Sequence, residues 1–392
     1  MKILQVCDYY QHLGGTEDYL ISISKELENA GHKMGIVYAI KSQDTINIQG
    51  RAEYFLPFSV NSAALDKNIE EKLKEIIIKE SPDIIYIHNI VNSSLIEKLL
   101  TLRPVVRYVH DHRLFCPSRH KILPKSNLIC NYPVSFRCVI NAYKNRCLPR
   151  NPINLFSLMK SKSLEIKINK KINKIIVASK YMKYWLEKNG FDPDNIEIVP
   201  YFTQPNTGLS PEKCRENVIL FVGRLHWTKG LQYLLQALIY IKEPFKLLVC
   251  GEGPYEEKAK KLVKDLDLSR KVEFIGWVDS YNLAKYYLMS SLIVIPSLWP
   301  EPFGIVGIEA ISYAKPVVAF DVGGISEWLK DGENGFLVNC GDSRALAEKI
   351  SILLQNKDLS LELGEQGKKL WATKFTKEIH LKKLIEIFKQ CL

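Results

Sequence analysis

The 392-residue sequence contains no run of about 18 consecutive apolar residues, the length that a membrane-spanning helix needs. It also contains no low-complexity tract and no C-x-x-C pair. The N-terminal residues Met1–Val6 have the pattern of a β-strand that begins at once, which leaves no room for a secretory signal. These absences predict a cytosolic globular protein whose nine cysteines are free thiols rather than a disulfide framework.

Short apolar runs alternate with amphipathic segments along the whole chain, a pattern typical of parallel α/β layers. At roughly 100–200 residues per domain, the length predicts two domains. We expect two Rossmann-like domains whose parallel sheets face a central cleft. The predicted domains are 1–203 and 212–371, and we expect a last helix at 372–392 to pack back on the first domain. The predicted strands are 3–7, 34–39, 84–88, 105–110, 175–178 and 196–199 in the first half, and 218–222, 246–250, 272–275, 292–295, 317–319 and 335–338 in the second.

Basic residues outnumber acidic ones by 54 to 43, and the excess is local. The stretch 160–188 carries nine lysines against Glu165 and Glu187. Such a stretch fits an anionic membrane surface, a nucleic acid or simply a solvated face. Basic and aromatic residues are not interleaved, which argues against nucleic acid. With Leu155, Phe156, Leu158 and Met159 just before it, the stretch suggests peripheral docking on an acidic membrane.

Residues 111–160 interrupt the α/β rhythm and show little periodicity. A segment of this length inside a compact domain is usually functional. It contains four cysteines with long, irregular spacings, namely Cys116, Cys130, Cys138 and Cys147, and His110, His112 and His120 lie in or beside it. A zinc site is conceivable, but the spacings favour packed or pocket-lining thiols.

Three glycine-opened turns follow predicted strands of the second half. Gly223 follows the first of these strands, and Arg224 and Lys229 then place two cations before Gly230. Cations beside a helix start can hold a diphosphate. Gly251 and Gly253 open the next turn, and Gly276 ends the strand after that, where exposed backbone can pair with a base edge.

The most informative segment is 300–310, which reads PEPFGIVGIEA. Glu301 and Glu309 are eight residues apart, with Glu301 before a predicted helix and Glu309 inside it. Gly304 and its neighbours would offer free backbone N–H groups at the positive end of that helix, where charge on a departing diphosphate is stabilised. One carboxylate can bind sugar hydroxyls and the other a ribose.

These motifs resemble, in order, those of the donor domain of family 4 glycosyltransferases, which have the GT-B fold. In the first half, the turn at Gly14 and Gly15 resembles the glycine loop of the same family. The segment 108–117 (YVHDHRLFCP) resembles a subgroup with a His-Asp and Cys-Pro signature. The resemblance implies that Arg224 and Lys229 hold the diphosphate, that Glu309 holds the ribose and that His110 lies near the transferred sugar.

The resemblance also implies a retaining transfer from a UDP- or GDP-sugar to a saccharide or lipid-linked saccharide, in polysaccharide or glycolipid assembly, without a metal or other cofactor. An epimerase or hydrolase of the same fold, or a non-catalytic nucleotide-sugar-binding protein, is the alternative. Two D-x-D strings, at 192–194 and 265–267, fit structural turns better than a metal site. The predicted catalytic residues are His110, Arg224, Lys229 and Glu301, and the predicted donor-binding residues are Gly14, Gly15, Gly223, Arg224, Lys229, Gly251, Gly253, Gly276, Phe303, Gly304, Ile305 and Glu309.

Overall fold

The computed structural model describes residues 1–10, 14–40, 51–59, 65–206, 208 and 217–392. Two compact units account for them. Unit 1 comprises Met1–Tyr201 and His380–Leu392, and unit 2 comprises Phe202–Ile379. Part of the stretch 204–211, between the two predicted domains, lies outside the described residues.

Unit 1 is built on a seven-stranded parallel sheet. The strands of unit 1 are β1 (Lys2–Tyr9), β2 (Lys33–Ile40), β3 (Ala52–Phe55), β4 (Ile84–His88), β5 (Val105–Val109), β6 (Ile122–Leu123), β7 (Leu128–Ile129), β8 (Lys174–Val177) and β9 (Ile196–Ile198). The spatial order is β3-β2-β1-β4-β5-β8-β9, while β6 and β7 form a separate antiparallel pair. The predicted strands of this half are confirmed to within two residues, but β3 was not predicted because it is a short edge strand with no buried residue.

The sheet of unit 2 has six parallel strands in the order β12-β11-β10-β13-β14-β15. Its strands are β10 (Val218–Val222), β11 (Lys246–Cys250), β12 (Val272–Gly276), β13 (Leu292–Ile295), β14 (Val317–Phe320) and β15 (Gly335–Val338). All six were predicted. Most of their side chains are buried and apolar, as expected of parallel strands covered by helices on both faces.

Helices follow most strands and begin at side chains that accept hydrogen bonds from free backbone N–H groups. Asn92, Ser179 and Asp279 are examples of such N-caps. The helices are α1 (Gly15–Asn29), α2 (Lys67–Glu80), α3 (Ser93–Leu100), α4 (Phe136–Asn145), α5 (Pro152–Asn169), α6 (Lys180–Lys188), α7 (Leu231–Leu238), α8 (Glu256–Asp265), α9 (Ser280–Met289), α10 (Ile305–Ser312), α11 (Ser343–Gln355), α12 (Lys357–Lys374) and α13 (Lys377–Gln390). In the part of the chain that the structure describes, no helix is long and apolar enough to cross a membrane.

Two predicted segments differ from the structure. The segment 111–160, predicted to be irregular, holds the β6–β7 pair, all of α4 and the first half of α5. The predicted helix at 372–392 is present as α13 but begins at Lys377, since residues 372–374 belong to α12 and the chain breaks between the two helices. At this break Phe375 is buried and packs edge-on against the ring of Phe303, with 5.6 Å between ring centroids.

The last helix joins unit 1 through His380, which is 2% exposed. The Nδ1 atom lies 2.7 Å from the carbonyl oxygen of Pro200, and Nε2 lies 2.9 Å from the hydroxyl of Tyr19. Since a carbonyl can only accept, Nδ1 carries the proton and Nε2 accepts from the tyrosine. Burial lowers the pKa of His380 to about 4, so the ring is neutral in the folded protein.

This histidine predicts a pH dependence of stability. In the unfolded chain the ring titrates near pH 6.5. Its contribution is therefore complete above that pH and is lost as the pH falls toward about 4. His380→Gln should reduce the acid-induced loss of unfolding free energy by up to about 1.4 kcal/mol per pH unit in this window. The measurement is the urea midpoint at several pH values between 4 and 7. Lys382→Gln, an exposed residue on the same helix, is the control, and equal pH slopes for His380→Gln and wild type would contradict the assignment.

Candidate functional site

The loops at the carboxyl edge of the unit 2 sheet are joined by backbone hydrogen bonds. The Gly223 N–H donates to the Cys250 carbonyl (3.0 Å), and the Leu225 N–H donates to the Glu252 carbonyl (2.8 Å). The Gly251 N–H donates to the carbonyl of Gly276 (2.7 Å). The turns that follow β10, β11 and β12 therefore form one continuous backbone surface, at the sheet edge where open α/β folds bind ligands.

The glycines of these turns are required by close backbone contacts. A Cβ atom on Gly251 would lie 2.0 Å from the Gly223 carbonyl oxygen, and one on Gly253 would lie 2.4 Å from that of Leu225. Both glycines also have positive φ angles, 136° and 155°, which other residues rarely adopt. The structure thus explains these two predicted donor-site glycines by packing between loops.

Lys229 and Glu301 form an ion pair across two of these loops. The distance from Lys229 Nζ to Glu301 Oε1 is 2.7 Å. The Ser297 hydroxyl donates to the same Oε1, also at 2.7 Å. The Glu301 side chain is nearly buried, with 8% exposed, whereas that of Lys229 is 28% exposed. The lysine therefore neutralises a buried carboxylate while its ammonium group still reaches the surface.

The backbone fixes the position of Lys229. The Thr228 carbonyl accepts from the N–H groups of Leu298 (2.8 Å) and Trp299 (3.0 Å), which joins the loop after β10 to the loop after β13. Gly230 closes the turn with φ 73°, and a Cβ there would lie 1.6 Å from the carbonyl oxygen of Pro296. Arg224, the other predicted cation, lies on the same loop and is exposed.

Helix α10 begins in the middle of the predicted motif. Gly304 precedes it with φ 87°, and no side chain of the described residues caps this end. The carbonyl of the buried Phe303 accepts from the indole N–H of Trp328 at 2.7 Å. The same indole packs so closely on Gly307 that a Cβ there would lie 1.9 Å from it. Trp328 therefore holds the helix start, whose first N–H groups carry partial positive charge.

Glu309 lies on the second turn of α10, as predicted, and is half-buried. Its Oε2 accepts from the hydroxyl of Tyr287 at 2.7 Å. Burial, and then the charge of Glu309, raise the pKa of Tyr287 well above its ordinary value, so the tyrosine stays a donor. Ser297, Trp328 and Tyr287 support the predicted residues but were not found from the sequence, since their roles depend on contacts distant in the chain.

The backbone at Gly276 and Trp277 already takes part in hydrogen bonds within the protein. The Gly276 carbonyl accepts from Gly251, and the Trp277 N–H donates to Glu252 Oε1 at 3.1 Å. The Trp277 side chain is 61% exposed. An exposed indole at this edge offers a flat apolar surface, in addition to the backbone groups that the sequence indicated.

In unit 1, His110 follows β5 and is buried among rings. Its Nε2 lies 2.9 Å from His88 Nδ1, and its Nδ1 lies 2.7 Å from the Tyr201 hydroxyl. Burial, together with the nearby His88 and arginines, holds the pKa of His110 well below its usual range. The structure therefore presents His110 as a neutral, hydrogen-bonded imidazole. Its predicted contact with a transferred sugar stays a prediction.

Acidic and basic side chains surround the predicted glycine loop of unit 1. Gly14 precedes α1, and Gly15 is the first residue of that helix. Burial raises the pKa of Glu17, and it raises that of Asp8 to about 7 although Arg113 opposes the shift. The Asp8 Oδ1 atom is buried and has no hydrogen-bond partner among the described residues.

The cysteines of segment 111–160 do not form a metal site in the described residues. No group of three or more His, Cys, Asp or Glu side chains there is arranged to hold a metal ion, and this includes both D-x-D strings. Cys138 and Cys147 pack against a small apolar cluster around Ala142. Burial raises the pKa of Cys147 to about 11, so this cysteine is a thiol at neutral pH. The packed-thiol interpretation is the one that these contacts favour.

Comparisons with known proteins find relatives that are named glycosyltransferases. A relative from Methanocaldococcus jannaschii, an uncharacterized glycosyltransferase, is 34% identical over 44% of this chain and 45% of its own length. The poly(ribitol-phosphate) alpha-N-acetylglucosaminyltransferase of Staphylococcus aureus is 27% identical over 67% of this chain and 55% of its own length. The matches therefore span about half the length of these curated relatives. An Anabaena protein solved in complex with UDP has the same fold, with a TM-score of 0.72, 18% identity and 100% of both chains covered.

Family models cover most of the sequence. Residues 13–205 match the family described as Glycosyltransferase Family 4, and residues 209–370 match the one described as Glycosyl transferases group 1. The predicted resemblance to family 4 is thus confirmed for the first half, while the His-Asp and Cys-Pro subgroup stays a prediction. The chain consists of a Glycosyltransferase Family 4 domain followed by a group 1 glycosyl transferase domain, on the GT-B fold.

Proposed function

We propose that this protein transfers a sugar from a nucleoside-diphosphate sugar to a saccharide or lipid-linked saccharide acceptor. The observation that carries the proposal is the arrangement at the carboxyl edge of the unit 2 sheet. There, Lys229 and Glu301 form an ion pair between the loops after β10 and β13, and α10, whose second turn carries Glu309, begins four residues after Glu301. The UDP bound by the Anabaena neighbour supports a uridine nucleotide as donor.

We assign the diphosphate to Lys229, Arg224 and the start of α10. The ammonium group of Lys229 has three donors and gives one to Glu301, so others are available for phosphate oxygens. Arg224 supplies a planar fork that fits phosphate oxygens in pairs. These groups would stabilise the negative charge that develops on the leaving diphosphate. Because two cations and a helix start supply this charge, the proposal requires no metal.

We assign the donor sugar to Glu301 with the backbone from Phe303 to Ile305, and the ribose to Glu309. Carboxylates accept hydrogen bonds from sugar hydroxyls, and both are held in place by protein donors, Ser297 for Glu301 and Tyr287 for Glu309. The exposed indole of Trp277 is placed to stack on the base. The acceptor is assigned to unit 1, at the loops of Gly14, Gly15 and His110. The relative named poly(ribitol-phosphate) alpha-N-acetylglucosaminyltransferase supports a polymeric acceptor.

We further propose that the transfer retains the configuration of the anomeric carbon. No covalent enzyme nucleophile is required if the acceptor hydroxyl enters on the face that the diphosphate leaves. Its proton can then pass to the departing phosphate oxygen. His110, neutral and held by two hydrogen bonds, would contact the reacting sugar without competing for that proton.

Nucleotide binding tests the donor site without knowledge of the acceptor. UDP at 100 times its Kd should stabilise the wild-type protein by about 2.7 kcal/mol against unfolding. Lys229→Ala should weaken UDP binding by at least about tenfold, because it removes a charge-assisted hydrogen bond and leaves the Glu301 carboxylate facing the phosphates. Calorimetric titration measures both Kd values. Lys258→Ala, an exposed lysine on α8, is the matched control, and an unchanged Kd for Lys229→Ala would refute the assignment.

The stereochemical proposal has its own test. With an α-linked UDP-sugar as donor, the product linkage should also be α. The one-bond and vicinal couplings of the anomeric proton at the new linkage, in an NMR spectrum of the intact product, distinguish the two anomers. A β-linked product would mean inversion and would require a general base that this proposal does not include.

A further inference from the structure

The helix α4 and the first part of α5 expose large apolar side chains in a stretch that has no acidic residue. Between Asp111 and Glu165 the sequence contains ten Lys and Arg and no Asp or Glu. Within the same stretch, Phe136, Ile153 and Phe156 are each more than 70% exposed. Monomeric proteins rarely expose several large apolar side chains together unless the surface meets a partner.

On α4 the apolar side chains occupy the outer face. Phe136, Ile140 and Tyr143 are spaced by four and three residues, so they form one stripe, and all three are at least half exposed. The inner face buries small apolar and polar residues: Ala142 packs in a small cluster, and Asn141 and Asn145 are buried and bonded to each other at 2.8 Å. A surface helix of a globular protein normally keeps its large apolar side chains on the inner face. The side chains of the exposed stripe therefore belong to the protein surface and do not form part of the buried core.

On α5 a similar stripe mixes apolar and basic residues. Ile153 and Phe156 are exposed near the start, and Lys160, Leu164 and Lys167 continue at helical spacing, all exposed. The sequence indicated four apolar residues here. The structure shows that Leu155 is buried and that Leu158 and Met159 pack against the small cluster shared with α4, which leaves only Phe156 of the four exposed.

Exposed cations flank both stripes. Arg137 and Lys144 stand beside the apolar stripe of α4, and Arg146 and Arg150 lie between the helices. The basic–apolar surface is defined by the residues Phe136, Arg137, Ile140, Tyr143, Lys144, Ile153, Phe156 and Lys160. Other exposed apolar residues of unit 1 have different neighbours; Ile78 on α2, for example, is 76% exposed but shares its helix with Glu71 and Glu75.

We propose that the basic–apolar surface docks on the surface of a bilayer that contains anionic lipids. Exposed aromatic and aliphatic side chains would enter the interface between headgroups and acyl chains, while the flanking cations would attract the anionic headgroups. A second copy of the chain fits less well, because the surface has no acidic side chain to meet its own cations. Nucleic acid fits less well too, since Ile140 and Ile153 cannot stack on bases as aromatic rings do.

Docking would bring unit 1 to the lipid surface. This gives the proposed function a more specific acceptor, a saccharide linked to a membrane lipid. That consequence rests on the proposed function, whereas the docking itself does not. Vesicle binding requires neither donor nor acceptor. A failure to bind vesicles would therefore refute the docking proposal but not the proposed nucleotide site, and a failure to bind UDP would refute the nucleotide site but not the docking.

The test is flotation of the full-length protein with vesicles at about 0.1 M NaCl. The protein should bind vesicles of phosphatidylcholine with about one third phosphatidylglycerol and should bind pure phosphatidylcholine at least about a hundredfold more weakly, because the attraction of at least three cations is then lost. The double variant Phe136→Ser/Phe156→Ser should lose at least about tenfold in partition coefficient. The variant Arg137→Gln/Lys144→Gln/Lys160→Gln should lose about fivefold for each cation removed.

Matched control variants distinguish binding through this surface from nonspecific binding of the protein to vesicles. Ile78→Ser, an equally exposed apolar residue, and Lys72→Gln, an exposed lysine on the same helix, should bind vesicles as the wild type does. All variants change exposed side chains, so their circular dichroism and thermal midpoints should match those of the wild type.

Four results would overturn the proposal. The first is that folded wild-type protein does not bind the anionic vesicles. The second is that the two surface variants bind them as tightly as the wild type does. The third is a dimer in light scattering that Phe136→Ser/Phe156→Ser converts to a monomer, which would make the surface a contact between copies. The fourth is tighter binding to a DNA oligonucleotide than to vesicles through the same residues.

Discussion

The salt bridge between Lys229 and Glu301 is the interaction on which the geometry of the unit 2 site depends. An unpaired carboxylate as buried as that of Glu301 would be strongly destabilising, so lysine and glutamate keep each other in place. The pair joins the loop after β10 to the loop after β13, and the Thr228 carbonyl secures the same two loops. Around it, Gly230, Gly251 and Gly253 remove the side chains that would keep the loops apart. Fixed loops can hold cations and dipoles ready for charge that develops on a ligand, with little reorganisation.

The strands of unit 2 were predictable because they are runs of buried apolar residues bounded by glycine or polar turns, a local pattern. The two carboxylates were predictable from their position around a helix start. Ser297, Tyr287 and Trp328 were not, because nothing in their own neighbourhood in the sequence marks them. Tyr287 meets Glu309 from 22 residues away, and Trp328 meets Phe303 from 25 residues away. Such supporting contacts are made by tertiary packing, so the sequence predicts the charged groups of the site better than the residues that hold them.

Unit 1 illustrates a different limit of sequence reasoning. The helix α4 was not predicted, because its segment shows little periodicity, and its apolar stripe of Phe136, Ile140 and Tyr143 faces outward instead of marking a buried face. His110 was predicted as an active-site residue, and the structure adds its environment: a neutral ring held between His88 and Tyr201. One domain thus combines a rigid, uncharged imidazole cluster with a cationic, apolar outer surface. The two features are the ones on which the proposed acceptor site and the proposed docking on anionic lipid rest.

The central claim is that the loops at the carboxyl edge of the unit 2 sheet bind the nucleotide part of the donor. Hydrogen–deuterium exchange of the full-length protein with and without saturating UDP tests it most directly. The account predicts slower exchange in peptides that cover 223–230, 276–277 and 303–309, with little change in α4 and α5. Protection confined to unit 1, or to unit 2 peptides that exclude these loops, would contradict it.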